Sequence, residues 1–216
     1  MIPALGFLTY SRFDLAQRLL DSIDYPVEHL VIVDNSGRRE FNPSKPELVK
    51  NLWLIQVPHG LGFGSGLNLI VKSTPFASYW VLLNDDSVLA PGALQKISEK
   101  VDVDAINFLS IVPKWSGFVL GEGAVLKAGL FDERFHPIYF EDNDYERRLM
   151  AAGVKANFIY AALDHDNSST LNSGFQDKND KSFIANRELY ASKVESDDLS
   201  EGNWSLQIRR TNAWDR

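Results

Sequence analysis

The stretch Tyr79-Trp-Val-Leu-Leu-Asn-Asp-Asp-Ser87 is an apolar run that stops abruptly at an amide, two acids and a hydroxyl. Five apolar residues bounded by turn formers read as a buried strand, and polar groups at its end stand where open α/β sheets bind ligands. The same shape recurs upstream. Leu5 to Leu8 is a short buried strand closed by Thr9-Tyr10-Ser11-Arg12, and Leu30-Val-Ile-Val33 is a β-branched strand closed by Asp34-Asn35-Ser36-Gly37. Leu52 to Val57 is a further strand. Between these runs lie helical spacings: Leu15, Ala16, Leu19, Leu20 and Ile23 share one face behind an expected Asp14 cap, and Leu67 to Ser73 follows a glycine-rich loop. Pro91 suits the opening of another helix. Strand and helix thus alternate through the first hundred residues, which predicts an α/β fold with a mostly parallel, Rossmann-like sheet flanked by helices.

Beyond residue 100 the alternation loosens. Ala105 to Val112, Gly117 to Leu120 and Lys155 to Ala161 read as strands, and Glu122 to Leu130 and Asp142 to Gly153 as helices. Residues 166–182 read as a long polar loop, 181–194 as a last helix, and 196–216 as a tail holding Trp204, Arg209, Arg210 and Trp214. At 216 residues the expectation is one domain: a nucleotide-binding half to about residue 100, then an acceptor and catalytic half to about 195. Twenty-two basic against 29 acidic residues leave a net charge of −7, which argues against nucleic acid or an anionic membrane as partner. No run approaches the roughly 20 apolar residues of a spanning helix. The absence of cysteine excludes disulfides, thiolate metal sites and cysteine nucleophiles, and fits a soluble cytoplasmic protein.

Four groups of residues could carry chemistry. Asn84-Asp85-Asp86 offers oxygen ligands suited to Mg²⁺ or Mn²⁺, Asp86 being the better placed, although the same residues also suit an Asx-type turn. Asp164-His165-Asp166 follows a strand, and His165 could complete a metal site with Asp86 or lie in a solvated loop. Glu141, Asp142 and Asp144 crowd the start of a helix. There they favour the macrodipole and pair with Arg147 and Arg148, or raise one another's pKa to make a general base. Gly60-Leu-Gly-Phe-Gly-Ser-Gly66 nearly fits a dinucleotide fingerprint, but follows two complete strand–helix units rather than opening the first. Asn68 stands just inside the helix after it.

In combination these segments resemble family 2 glycosyltransferases of the GT-A fold, in the rhamnosyl- and galactofuranosyl-transferase-like branch. The resembling pieces keep the family's order: Leu8-Thr-Tyr-Ser-Arg12, Val31-Ile-Val-Asp-Asn-Ser36, Gly62-Phe-Gly-Ser-Gly-Leu-Asn68, Leu82-Leu-Asn-Asp-Asp-Ser87, Gly129-Leu-Phe-Asp-Glu133, Tyr139-Phe-Glu-Asp-Asn-Asp144 with Arg148, and His165 with Ser168. Ser11 stands where the family usually has Asn.

The resemblance implies inverting, metal-dependent transfer from a nucleotide-diphosphate sugar, UDP- or dTDP-linked, to a hydroxyl of a glycan, lipid-linked or protein acceptor. It implies that Thr9, Tyr10, Arg12, Asp34 and Asn35 hold the nucleotide, that Gly62, Gly64 and Asn68 wrap the donor, and that Asn84 and Asp85 flank it. Asp86 and His165 would hold Mn²⁺ or Mg²⁺. Asp142 would be the general base, with Glu141 and Asp144 orienting it or holding the acceptor. Two other readings share parts of the pattern: a non-catalytic nucleotide-sugar-binding protein, and a nucleotidyltransferase of similar fold. A dinucleotide oxidoreductase rests on the glycine loop alone.

Overall fold

A computed structural model of the chain describes residues 1–161, 163–165 and 176–202. The expected α/β architecture is present. Strands β1 (Ile2–Thr9), β2 (Val27–Asp34), β3 (Val49–Gln56) and β4 (Tyr79–Asn84) are joined by parallel pairing of β2 with β3, β1 with β2, and β1 with β4. Helix α1 (Phe13–Asp21) connects the first two strands and α2 (Phe63–Ser73) leads into β4. After β5 (Ser87–Leu89) and α3 (Ala93–Lys100), β6 (Ile106–Phe108) and β7 (Gly117–Gly121) extend the sheet, β7 antiparallel to both neighbours. Helices α4 (Glu122–Ala128) and α5 (Glu141–Ala151) follow, then β8 (Ala156–Phe158) at the sheet edge, β9 (Leu163–His165) and α6 (Gln176–Glu195).

The seven-stranded sheet runs β3-β2-β1-β4-β7-β6-β8, and β5 and β9 form a separate two-stranded sheet. Reading outward from β1, the chain winds one way to β2 and β3 and the other way to β4. That reversal opens a crevice at the carboxyl ends of β1 and β4, the topological switch point of a doubly wound sheet.

Strict alternation along the strands builds two cores. Leu30, Ile32, Val81 and Leu83 face α1 and α3 with Leu5 and Phe7, whereas Val31, Val33, Trp80 and Leu82 face α2, α4 and α5. Trp80 is fully buried, and its indole N–H donates to Thr74 O at 3.2 Å and Thr74 Oγ1 at 3.0 Å, so the ring enters the core without an unmet donor. Helix α2 lies close on β1 because Gly66 has no side chain: a Cβ there would fall 1.9 Å from Leu8 Cδ2.

Several boundaries differ from the sequence reading. Asp14 does not cap α1. Arg12 occupies that position, and the Asp14 carboxylate instead receives Arg12 Nε at 2.9 Å and Nη2 at 2.7 Å. Helix α3 starts at Ala93 after a turn through Pro91 and Gly92, the glycine at φ 79°. Residues 176–182, expected as loop, are the first turns of α6. The apolar period that marks most helices is missing there: among its described side chains the buried ones, Asn179, Ser182, Asn186 and Lys193, are all polar. Among the described residues no helix is long and apolar enough to cross a membrane.

Candidate active site

A cleft of about 520 Å³ opens at the switch point. Its floor comes from strand ends. Thr9, Tyr10, Ser11 and Arg12 leave β1, Asn35 leaves β2, and Asn84, Asp85 and Asp86 leave β4, all lining the same hollow. One roof comes from the loop before α5, His136 to Tyr139 together with Glu141, and α6 adds Asn179. Gly60, Gly62 and Phe63 close the side at the α2 amino terminus.

Local geometry explains how these pieces hold their places. Asn35 Oδ1 accepts from Leu61 N at 2.7 Å, pinning the glycine loop to the end of β2. Gly62, at φ 90°, has the loop at 136–137 against it; a Cβ there would sit 2.8 Å from His136 Nδ1 and 3.0 Å from Pro137 O. Phe63 N donates to Pro137 O at 2.8 Å, closing the contact. The glycines therefore serve close packing of the cleft wall as much as any approach to phosphate.

The entry into α5 is strained. Tyr139 and Phe140 have φ of 81° and 69°, a region that bulky L-residues rarely occupy. Helix α6 holds them there. Ser182 Oγ and Asn186 Nδ2 donate to Ile138 O at 2.7 and 2.8 Å, Asn186 reaches Tyr139 O at 3.1 Å, and the Phe140 ring packs on Phe183 at 5.1 Å and Tyr190 at 5.7 Å. The consequence is that α5 begins with Glu141 turned into the cleft.

Two carboxyls of the cleft carry raised pKa values. Burial pushes Glu141 up to about 8, with the Asp142 charge adding to it. Burial likewise pushes Asp85 to about 7; the Thr9 side chain partly counters this and the Asp86 charge reinforces it. Asp142 is also raised, chiefly by burial, with Lys114 acting in the opposite sense. Its Oδ1 accepts from Asn143 N at 2.8 Å, and it is half-buried rather than part of the cleft lining.

The remaining expected residues fall elsewhere. Asp144 is fully buried and ion-paired to Arg148 Nε at 2.8 Å and Lys193 Nζ at 2.9 Å. From there it cannot hold an acceptor; it fixes α5 to its surroundings. Asn68 does not face the cleft either. Its amide bridges Phe131 N and O at 3.0 and 2.9 Å and reaches Glu133 at 2.9 Å, tying α2 to the loop after α4. Gly64 packs against Phe131 and Glu141. Asp34 lies buried behind the cleft, its Oδ1 accepting from Ser36 N and Oγ at 3.1 and 2.6 Å. His165 pairs with Ser87 in the β5–β9 ladder, so its backbone runs beside the residue after Asp86; its side chain, Asp166, Ser168, Trp204, Arg209, Arg210 and Trp214 lie outside the described residues. Among the described residues no three His, Asp or Glu side chains converge as a metal site. A second hollow of about 330 Å³, lined by Asp102, Asp104, Lys127, Gly153 and Lys155, gathers none of the expected residues.

His136, Pro137, Ile138 and Asn179 carry no signal that sequence alone assigns to the cleft. The first three lie inside the acidic segment, where the X-Pro pair before the acids was the available signal. Asn179 belongs to the polar stripe of α6, legible as helical spacing once the helix is extended to Gln176.

Solved structures that share this arrangement include glycosyltransferases. The chain aligns with GalNAc-T7 in complex with UDP, GalNAc and Mn²⁺ at TM-score 0.58 and 10% identity, over 76% of this chain and 44% of that one. This is the GT-A fold. S. aureus TarS aligns at TM-score 0.54 and 13% identity over 73% of this chain and 35% of its own. A Drosophila β1,4-galactosyltransferase 7 mutant, in complex with manganese, UDP-Gal and xylobiose, aligns at TM-score 0.51 and 10% identity over 80% and 74%. The chain thus spans between about a third and somewhat over half the length of the TarS chains it matches. No protein-family model matches it, and no curated protein does.

Proposed function

We propose that the protein is a metal-dependent, inverting glycosyltransferase that takes a sugar from a UDP- or dTDP-linked donor to an acceptor hydroxyl. One observation carries the reading: a single cleft at the switch point of a GT-A sheet collects Thr9, Tyr10, Arg12 and Asn35, the acids of β4 and Glu141 of α5. In this reading the first hundred residues hold the nucleotide, and residues 101–195 carry the acceptor side.

The donor set suits a divalent cation. Asp85 and Asp86 are adjacent carboxylates beside the Asn84 amide in the cleft lining, and burial, reinforced by the Asp86 charge, pushes Asp85 towards protonation, which a hard cation relieves. Asp85, Asp86 and His165 would hold Mn²⁺ or Mg²⁺, which when bound neutralises charge on the departing diphosphate. Arg12, already gripped by Asp14, supplies a fixed cation to the nucleotide end. Asp142, raised by burial and next to the cleft-lining Glu141 at the head of α5, would take the proton of an acceptor hydroxyl that enters along this edge of the cleft, a contribution of about 10²–10⁴-fold. Glu141 and the loop at 136–140 fix the sugar and exclude water from it.

The test is thermal shift of the full chain against UDP, dTDP, GDP and NAD, each with and without Mn²⁺. A site filled at a hundred times Kd gains about 2.7 kcal/mol. A Mn²⁺-dependent shift with one diphosphate, lost in Asp86→Ala, supports the reading. A metal-indifferent shift with NAD alone overturns it in favour of the glycine loop as a dinucleotide site.

A further inference from the structure

One wall of the cleft does not come from strand ends. The buried side chains of α6 recur as Asn179, Ser182, Asn186 and Lys193, spacings that put them on one face of the helix. Three of the four are engaged with protein. Ser182 and Asn186 donate to the carbonyl of Ile138, and Lys193 Nζ donates to Asp132 Oδ2 at 2.6 Å. Asn179 breaks the series. It is 8% exposed, it lines the cleft, and its Nδ2 has no hydrogen-bond partner. Folded proteins seldom leave a buried amide donor unmet.

Glu141 repeats the pattern in the same cleft: it is 6% exposed, and its Oε2 has no partner. An unmet N–H and an unmet carboxyl oxygen facing one hollow complement a group that accepts and donates at once. A hydroxyl does both, whereas a phosphate offers only acceptors and an ammonium only donors. The anionic diphosphate of a nucleotide sugar is matched by Arg12 and by the cation that the β4 acids would hold, so this pairing falls to the sugar. We infer that Asn179 contacts the donor's sugar directly, its Nδ2 donating to a ring hydroxyl that in turn donates to Glu141. Helix α6 then reads the sugar as well as bracing the loop before α5. The inference rests on the nucleotide-sugar reading above.

Calorimetric titration of the full chain with Mn²⁺ tests it, using UDP, UDP-glucose, UDP-galactose, UDP-GlcNAc, dTDP and dTDP-glucose. Alanine is a better helix former than asparagine, so Asn179→Ala retains α6. That variant is expected to bind the preferred nucleotide sugar about three- to tenfold more weakly, the effect of one lost hydrogen bond, with affinity for the bare diphosphate and the thermal midpoint unchanged. Asn179→Ser, which keeps a donor, recovers part of the loss. Equal weakening towards diphosphate and nucleotide sugar, or no weakening towards either, overturns the inference while leaving the transferase reading intact. A wild-type chain that binds none of the six ligands overturns the transferase reading, and this inference with it.

Discussion

Glu141 shows how one residue couples the site to stability. Its carboxyl rises from 4.5 to about 8 on folding because burial removes it from water. Between those values the folded chain holds a proton that the unfolded chain has lost, so stability falls as pH rises through that window. Glu141→Gln removes the titration. Urea denaturation at pH 5 and pH 8 should show a flatter dependence for the variant, and a more stable protein than wild type at pH 8. Asp142 makes a different prediction. Asp142→Asn should abolish transfer while leaving donor affinity within about twofold, since a general base acts on the barrier and adds little to binding. Comparable loss of donor binding in calorimetry would remove the base assignment. At this scale the sequence was legible where chemistry coincides with a strand end: Thr9, Arg12, Asn35 and the β4 acids all reach the cleft. It was not legible where a residue's duty is set by distant neighbours. The pairing of Asp144 with Arg148 follows from helical spacing, yet Lys193, from a helix distant in sequence, completes its enclosure. Asn68 looks like a ligand for phosphate, yet Phe131 occupies both ends of its amide.

At the scale of elements, the glycine run and the α5 entry decide the cleft's shape together. Gly62 accepts φ 90° and leaves space for His136 and Pro137. Gly62→Ala would strain the backbone in a region reserved for glycine and press on that loop, costing about 1–3 kcal/mol. Urea unfolding should register the loss, and diphosphate binding should weaken as the wall shifts. Strand and helix existence in the first hundred residues followed from the apolar pattern, because β1, β2 and β4 are buried almost throughout, β3 is a partly buried edge strand, and each helix buries one face. Ends were less legible: Asp14 had the chemistry of a cap, but Arg12 claimed it. In the second half the strands expected at 105–112, 117–120 and 155–161 are present, but β6 and β8 are only three residues long and owe their pairing to neighbours distant in sequence, so local pattern marked their existence and overstated their extent.

Across the whole molecule, one lysine gathers segments that are far apart. Lys193 on α6 reaches Asp132 after α4 at 2.6 Å, Asp144 on α5 at 2.9 Å and Ser200 O beyond α6 at 2.7 Å, while itself almost wholly buried. Arg134 shares Asp132, and both cations hold that carboxyl below its ordinary range. Removing one member of such a buried set leaves its partners uncompensated, and Lys193→Met should cost about 3–5 kcal/mol of unfolding free energy. A change below about 1 kcal/mol in guanidinium denaturation would show that the neighbouring guanidinium suffices.

The polar face of α6 has a further meaning. Greasy helix seams tolerate slippage, since one methyl group replaces another with little loss. A seam of one hydroxyl and two amide links to carbonyls and one ammonium among three oxygens is a keyed joint: it fits at one rotation and one height. The helix is therefore indexed, not merely attached. Whatever varies on its outward side, where Ile184 and Val194 stand exposed, leaves the placement of the strained turn before Glu141 unchanged.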